Sequence, residues 1–145
     1  MRPTGAVMRS AFMTEILEGG CACGRVRFKA RGAPKRVGLC HCLTCRKAHG
    51  AAFFPFAVYE RGQVLIVGEL KSWLSSPDYD RAFCPNCGSP VIGRNGAEVE
   101  VSLGSFDREN VLALGYESWI RHREHWLAAL PVSQFEESRP LHPSQ

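Results

Sequence analysis

Residues 40–47 of this 145-residue chain read CHCLTCRK and place three cysteines within six positions. The remaining four cysteines form two short-spaced pairs, Cys21-x-Cys23 and Cys84-x-x-Cys87. Such spacings let sulfur ligands converge on one metal ion. A disulfide framework is disfavoured because the total of seven is odd and residues 1–13 lack the apolar run of a secretory signal. The sequence therefore predicts metal binding.

Ligand counting divides the seven cysteines most simply into four and three. A closed structural zinc site has four protein ligands, and neither outer pair can supply four alone. We therefore expect one structural zinc on the two outer pairs, Cys21, Cys23, Cys84 and Cys87. The triplet Cys40, Cys42 and Cys45 then keeps a vacant fourth position, which is typical of a catalytic zinc site. Two zinc ions per chain follow.

Two other ligand arrangements remain open at this point. His41 or His49 completes the triplet as a closed Cys3His site, a common structural arrangement. Alternatively, Cys42 and Cys45 join the 84–87 pair as in a zinc ribbon, which leaves three thiols without a metal. His122 and His125 are expected to be surface residues.

The sequence around the triplet predicts a short helix over Thr44–His49, with Gly50 as the residue past its C-terminus. Cys42 and Cys45 would lie at its start, where free backbone N–H groups favour thiolate over thiol. Arg46 and Lys47 reinforce that preference. They are interpreted either as contacts for a substrate carboxylate or as solvated helix residues.

Most of the remaining patterns indicate strands. Val26, Phe28 and Ala30 alternate with basic residues, and residues 52–59 and 64–67 are short apolar runs predicted to pair with each other. Pro55 indicates an edge or a bulge in the first run. Residues 90–103 predict a hairpin that turns at Asn95-Gly96. The fold class is therefore mainly β, with short helical segments.

The chain length predicts one domain. We expect a disordered extension over residues 1–12, the domain over 13–135 and a flexible tail over 136–145 that is ordered only where it docks. Residues 117–130 show partial helical spacing of apolar side chains, so that segment is either a helix or irregular.

Charge and hydropathy exclude two classes of partner. The formal charge of +4 counts cysteines as neutral, and seven thiolates around two divalent ions would lower it by three. The basic residues are scattered along the chain and do not form a concentrated patch, so no nucleic-acid partner is expected. No apolar run reaches eighteen residues, which predicts no membrane partner and a cytoplasmic location. The sequence does not indicate an oligomeric state.

Three spaced motifs resemble the glutathione-dependent formaldehyde-activating enzyme family, whose domain also occurs in centromere protein V. The motifs are GCACGRVRF at residues 20–28, CHCLTCRK at 40–47 with Gly50, and FCPNCGS at 83–89, together with Ser76-Pro77 and Arg81. The similarity runs from about Glu15 to Val101 and is looser over residues 116–127.

The resemblance implies an Mss4-like zinc-binding β-fold and a carbon–sulfur lyase that joins glutathione and formaldehyde as S-(hydroxymethyl)glutathione. It also implies the same division into a structural zinc on Cys21, Cys23, Cys84 and Cys87 and a catalytic zinc on Cys40, Cys42 and Cys45. Residues 51–59 and 73–79 are expected near the substrate pocket. The competing interpretation is a non-catalytic zinc module that binds glutathione or a macromolecular partner.

Overall fold

A computed structural model describes residues 15–141 and shows a mainly β protein, which confirms the expected fold class. The strands are β1 (Ile16–Gly20), β2 (Arg27–Arg31), β3 (Arg36–Cys40), β4 (Phe54–Glu60), β5 (Val64–Val67), β6 (Lys71–Ser76), β7 (Tyr79–Phe83), β8 (Pro90–Asn95), β9 (Glu98–Ser102), β10 (Tyr116–Ser118) and β11 (Ser133–Gln134). The helix α1 spans Leu43–His49, and single 3₁₀ turns cover Arg61–Gln63, Leu103–Ser105 and Ile120–His122.

The strands form two sheets. A three-stranded sheet has the order β1-β2-β5, and an eight-stranded sheet has the order β11-β10-β3-β4-β9-β8-β7-β6. Most neighbours are antiparallel, but β10 runs parallel to both β3 and β11. The triplet follows β3 directly, so the parallel neighbour β10 brings C-terminal residues next to it.

The core lies between the two sheets and contains the side chains that the period-two pattern predicts. Val26, Phe28 and Ala30 are fully or almost fully buried, while their basic neighbours on β2 face outward. The ring of Phe28 packs edge-on against Phe106, with 5.3 Å between ring centroids. Burial of these groups supplies the hydrophobic stabilisation of the small sheet.

The predicted pairing of residues 52–59 with 64–67 is wrong. β4 pairs with β3 and β9, whereas β5 pairs with β2 in the other sheet. The 3₁₀ turn Arg61–Gln63 redirects the chain between the sheets, and its Gln63 amide donates to the carbonyls of Arg31 and Ala33. β4 is consequently a central strand, and Pro55 marks neither an edge nor a bulge. It is tolerated because pairing with β9 begins only at Phe56.

The predicted hairpin is confirmed, with its turn shifted by one residue. β8 and β9 pair from Ile92↔Val101 to Asn95↔Glu98, so the two loop residues are Gly96 and Ala97. Gly96 alone has positive φ, at 57°, while Asn95 keeps strand geometry. The glycine therefore supplies the unusual backbone conformation of this turn.

The helical interpretation of residues 117–130 is wrong, and the irregular alternative is confirmed. Tyr116–Ser118 is strand β10, and Trp119, with a left-handed φ of 56°, separates it from the single 3₁₀ turn Ile120–His122. Hydrogen bonding to β3 outweighs the partial helical periodicity here.

Part of the expected flexible tail contacts the sheet. The Trp119 N–H donates to the Glu137 carbonyl at 3.0 Å, and the Arg139 guanidinium lies over the Tyr116 ring. The expected extension over residues 1–12 and the last four residues lie outside the described part of the chain. Within residues 15–141, no helix is long and apolar enough to cross a bilayer.

Candidate metal centres and adjoining pocket

The first half of the four-cysteine group is a tight turn after β1. The Cys21 N–H donates to the Val26 carbonyl at 3.0 Å, and the Val26 N–H donates to the Cys21 sulfur at 3.2 Å. Gly24 occupies the left-handed region at φ 81°, which permits the reversal. The turn thereby presents the Cys21 and Cys23 sulfurs together, 3.5 Å apart.

The second half is a matching turn before β8. The Cys84 N–H donates to the Ser89 carbonyl at 3.0 Å, and the Gly88 N–H donates to the Cys84 carbonyl at 2.8 Å. The Ser89 hydroxyl links the two turns, because it accepts from the Ala22 N–H at 3.1 Å and lies 3.2 Å from the Cys87 sulfur.

The geometry of this group fits a zinc ion. All four sulfurs lie within 4.8 Å of one another, and the Cys23 and Cys84 sulfurs are 3.8 Å apart. Sulfurs bound tetrahedrally at about 2.3 Å are separated by about 3.8 Å. A four-sulfur set of this size can hold a metal ion without any further protein ligand.

The triplet lies where β3 ends and α1 begins. Cys40 is the last residue of β3, Cys42 is the N-cap of α1, and Cys45 lies in its first turn. The Cys42 N–H points to the Cys40 sulfur at 3.4 Å and the Cys45 N–H to the Cys42 sulfur at 3.3 Å. The predicted short helix is thus confirmed, with Leu43 as its first residue and Gly50 at φ 57° after its end.

Hydrogen bonds within the triplet favour one thiolate at Cys42. Donation from the Cys40 and Cys45 thiols lowers the pKa of Cys42 to about 2. The same contact raises the pKa of Cys40 to about 11, and the contacts with Cys40 and Cys42 raise that of Cys45. The three sulfurs lie within 4.8 Å of one another, so this group too can hold a metal ion.

The structure forms the two groups that ligand counting predicts, and no histidine of residues 15–141 joins either one. His41 points away from the triplet and its Nε2 lies 2.8 Å from the Glu117 carboxylate. His49 stacks on Phe54 with 3.8 Å between ring centroids. The zinc-ribbon pairing does not form, since the triplet and the 84–87 turn belong to separate groups.

A buried network behind the triplet was missed by the sequence patterns. Glu117 on β10 is 2% exposed and accepts hydrogen bonds from the Leu130 N–H at 2.9 Å and the Gln134 amide at 2.7 Å. Arg123 lies 3.3 Å from the same oxygen. Burial alone would raise the pKa of Glu117, but the bonds from Gln134 and His41 outweigh it and hold the pKa below its usual value.

A pocket of about 540 Å³ adjoins the triplet. Cys40 and Cys45 lie in its wall beside Phe54 and Phe56 of β4, and Ser75, Ser76 and Tyr79 close another side. The two phenylalanines lie in the segment 51–59, and Ser75, Ser76 and Tyr79 lie in the segment 73–79; both segments were expected near a pocket. The triplet therefore faces a cavity large enough for a small peptide or a comparable ligand.

Arginines give the pocket a basic lining. Arg81 donates to the Ser75 hydroxyl at 2.8 Å, and its Nη2 lies 3.5 Å from the Cys45 sulfur. Arg36 and Arg139 also line the pocket. Arg46 does not, because it donates to the His122 carbonyl and pairs with Glu124, and Lys47 faces solvent. Of the three arginines that line the pocket, Arg81 alone was singled out in the sequence, whereas Arg46 and Lys47 of the CHCLTCRK motif lie outside the lining.

Comparison with known proteins identifies relatives of this chain. The family model described as "Glutathione-dependent formaldehyde-activating enzyme" matches residues 16–122. An uncharacterised lyase of Schizosaccharomyces pombe is 32% identical over 74 residues, covering 51% of this chain and 54% of that protein. A Halomonas elongata protein, provisionally named as a glutathione-dependent formaldehyde-activating enzyme, is 30% identical over 86 residues, covering 52% and 54%.

The chain spans about half the length of these curated relatives. A crystal structure of a Rhodobacter sphaeroides protein shares the fold, with a TM-score of 0.53 and 20% identity. The similarity covers 66% of this chain and 91% of that one.

Proposed function

Because the chain belongs to the glutathione-dependent formaldehyde-activating enzyme family, we propose that it is a carbon–sulfur lyase. It joins glutathione or a related thiol with formaldehyde or a related aldehyde to give an S-hydroxymethyl adduct. The observation that carries this proposal is the position of the triplet. Cys40 and Cys45 line a pocket of about 540 Å³, and the group supplies three sulfurs where the other group supplies four.

We assign zinc to both cysteine groups. Cys21, Cys23, Cys84 and Cys87 would hold the structural ion, and Cys40, Cys42 and Cys45 the catalytic one. When bound at the triplet, zinc would supply Lewis acidity that favours the thiolate form of a thiol near neutral pH. A reducing compartment such as the cytoplasm would keep all seven cysteines available as ligands. No nucleic-acid or membrane partner is part of the proposal.

The reaction balances without a further reactant. The thiol sulfur bonds to the carbonyl carbon, the carbonyl π electrons move to oxygen, and a proton equivalent to the one lost from the thiol ends on that oxygen. Arg81 places its positive guanidinium beside Cys45, from where it would stabilise negative charge that develops on a sulfur or oxygen at the triplet. Phe54 and Phe56 form an apolar wall that limits water around the reacting atoms.

Exchange spectroscopy tests the lyase directly. Formaldehyde and glutathione combine spontaneously, so the measurement is the rate at which ¹³C-formaldehyde exchanges between its hydrate and the adduct at equilibrium. We expect the zinc-loaded protein to accelerate this exchange and Cys42→Ser to abolish the acceleration. Thermal unfolding of Cys42→Ser serves as the control for folding, because this site is expected to contribute less to stability than the four-cysteine group.

Glutathione binding without faster exchange would overturn the lyase and favour the non-catalytic zinc module. The lyase would also be contradicted if metal spectroscopy showed four protein ligands on the ion at the triplet, because no coordination position would then be open to a substrate thiol.

A further inference from the structure

We infer that Arg139 binds a carboxylate of the thiol substrate, so that the segment 138–141 determines which thiols the pocket accepts. The inference rests on the proposed function and names a specificity residue for it. Ser138, Arg139 and Leu141 line the same pocket as Cys40 and Cys45. All three lie beyond residues 16–122, the part of the chain that the family model matches.

The segment before Arg139 is attached to the eight-stranded sheet. β11 pairs with β10, the Phe135 N–H donates to the Glu117 carbonyl at 2.9 Å, and the Trp119 N–H donates to the Glu137 carbonyl at 3.0 Å. The Phe135 ring packs against Tyr116, with 6.1 Å between centroids. Backbone hydrogen bonds and the Phe135 ring therefore hold the segment just before Arg139 against β10.

Arg139 differs from the other arginines of the pocket in its partners. Arg36 forms a two-pronged ion pair with Glu98, and Arg81 donates to Ser75. The Arg139 guanidinium lies 5.6 Å from the centroid of the Tyr116 ring, and no carboxylate of residues 15–141 lies within 4.0 Å of it. Stacking on Tyr116 orients the guanidinium while leaving its N–H groups available to a ligand.

Glu100 is the acidic residue that lines this pocket within residues 15–141. It accepts a hydrogen bond from the Tyr79 hydroxyl at 2.5 Å, and burial raises its pKa. Glu100 is therefore poorly suited to neutralise Arg139, and the lining carries more positive than negative charge. An anionic ligand fits this imbalance.

The chemistry of the ligand follows from two groups in the lining of the pocket. Cys40 and Cys45 of the triplet suit a sulfur atom, and the Arg139 guanidinium suits a carboxylate. The expected substrates are thiols that also carry a carboxylate, such as glutathione. Thiols without one, such as cysteamine, would lack the second contact.

Calorimetric binding of S-methylglutathione to the zinc-loaded full chain tests this contact. The methyl group blocks the thiol, so binding reports recognition of the rest of the molecule without turnover. We expect Arg139→Gln to weaken binding about 10-fold or more, as loss of a charged hydrogen bond predicts. The diethyl ester of the same ligand should bind equally to both proteins. Arg108→Gln, an exposed arginine outside the pocket, is the matched control.

Equal affinity of wild type and Arg139→Gln for S-methylglutathione would overturn the inference. Equal weakening for the acid and its diester would do the same, because it would show a loss of shape and not of charge recognition. The lyase can fail while Arg139-dependent binding persists. Conversely, unchanged KM for glutathione in Arg139→Gln, with exchange still accelerated, would remove this inference and leave the lyase standing.

Discussion

The Nε2 atom of His41 lies 2.8 Å from Oε1 of Glu117, and both side chains are almost completely buried. His41 lies between Cys40 and Cys42 of the triplet, and Glu117 lies on strand β10, 76 positions later in the chain. The contact therefore joins the triplet to β10. The Glu117 carboxylate also accepts hydrogen bonds from the Leu130 N–H and the Gln134 side-chain amide. The C-terminal segment therefore supports the triplet from behind.

Glu117→Gln should destabilise the protein by about 2 to 4 kcal/mol. The change removes the negative charge that compensates the Arg123 guanidinium. It also replaces one buried carboxylate oxygen, a hydrogen-bond acceptor, by an NH2 group that can only donate. Urea unfolding of the zinc-loaded protein measures the loss. Glu137→Gln is the control, because its ion pair with Arg121 is more than half exposed and should contribute less than about 1 kcal/mol. Similar losses in both variants would contradict the role given to the buried network.

Cys84→Ser and Cys45→Ser should separate the two metal groups. The first removes a sulfur that joins two distant turns, so we expect a loss of about 3 kcal/mol or more in unfolding free energy. The second should lower the metal content from two zinc ions to one and abolish activity with a smaller loss of stability. Elemental analysis and thermal unfolding check both. Wild-type protein with a single zinc would contradict the four-and-three division.

Gly38→Ala should destabilise the sheet beneath the pocket by about 1 to 3 kcal/mol. A Cβ at Gly38 would lie 2.3 Å from Cζ of Tyr116, so the ring that supports Arg139 must move. Gly62→Ala is the matched control, since nothing lies within 4 Å of the added atom. Chemical unfolding measures the difference. If the two variants are equally stable, Tyr116 is not held in this position.

His49→Gln should flatten the dependence of stability on pH between about 6.5 and 4. Burial, followed by the nearby Arg81 charge, lowers the pKa of His49 to about 4. The unfolded chain therefore binds more protons than the folded one in this range, and stability falls as the pH falls. From pH 7 to 5 the contribution lost is about 2 kcal/mol.

The measurement is the unfolding free energy of wild type and His49→Gln at pH 7 and 5. Comparing the two proteins at each pH cancels changes that they share, such as protonation of the cysteines. His125→Gln, at an exposed histidine, should keep the wild-type slope. A slope unchanged by His49→Gln would show that this imidazole does not resist protonation in the folded protein.

Local chemistry was predictable from the sequence. The turns that hold the two outer cysteine pairs follow from their short spacings, because each needs only hydrogen bonds within Cys21–Val26 or Cys84–Ser89. The association of these two turns, 61 positions apart, was predicted by ligand counting and not by a local pattern. The helix end at Gly50 and the hairpin at Gly96 follow from the positive φ that glycine accepts at little cost.

Long-range pairing was not predictable. The apolar run Val64–Val67 fits any strand neighbour, and its sheet is decided by contacts with β2 that no local pattern encodes. The segment after Tyr116 has helical spacing, yet parallel pairing with β3 determines its structure. The position of Arg139 in the pocket was likewise not predictable, because it depends on how the residues before it pack on β10.

The two cysteine groups also differ in when each can be completed during synthesis of the chain. The triplet lies within six consecutive residues, so its three sulfurs are available to an ion soon after Cys45 leaves the ribosome. The other group joins Cys23 to Cys84, 61 positions apart, and must close a loop whose entropic cost rises with its length. A nascent chain therefore has the three sulfurs of the triplet together before the four-cysteine group can close, so the group that joins the two distant turns is the later of the two to be completed.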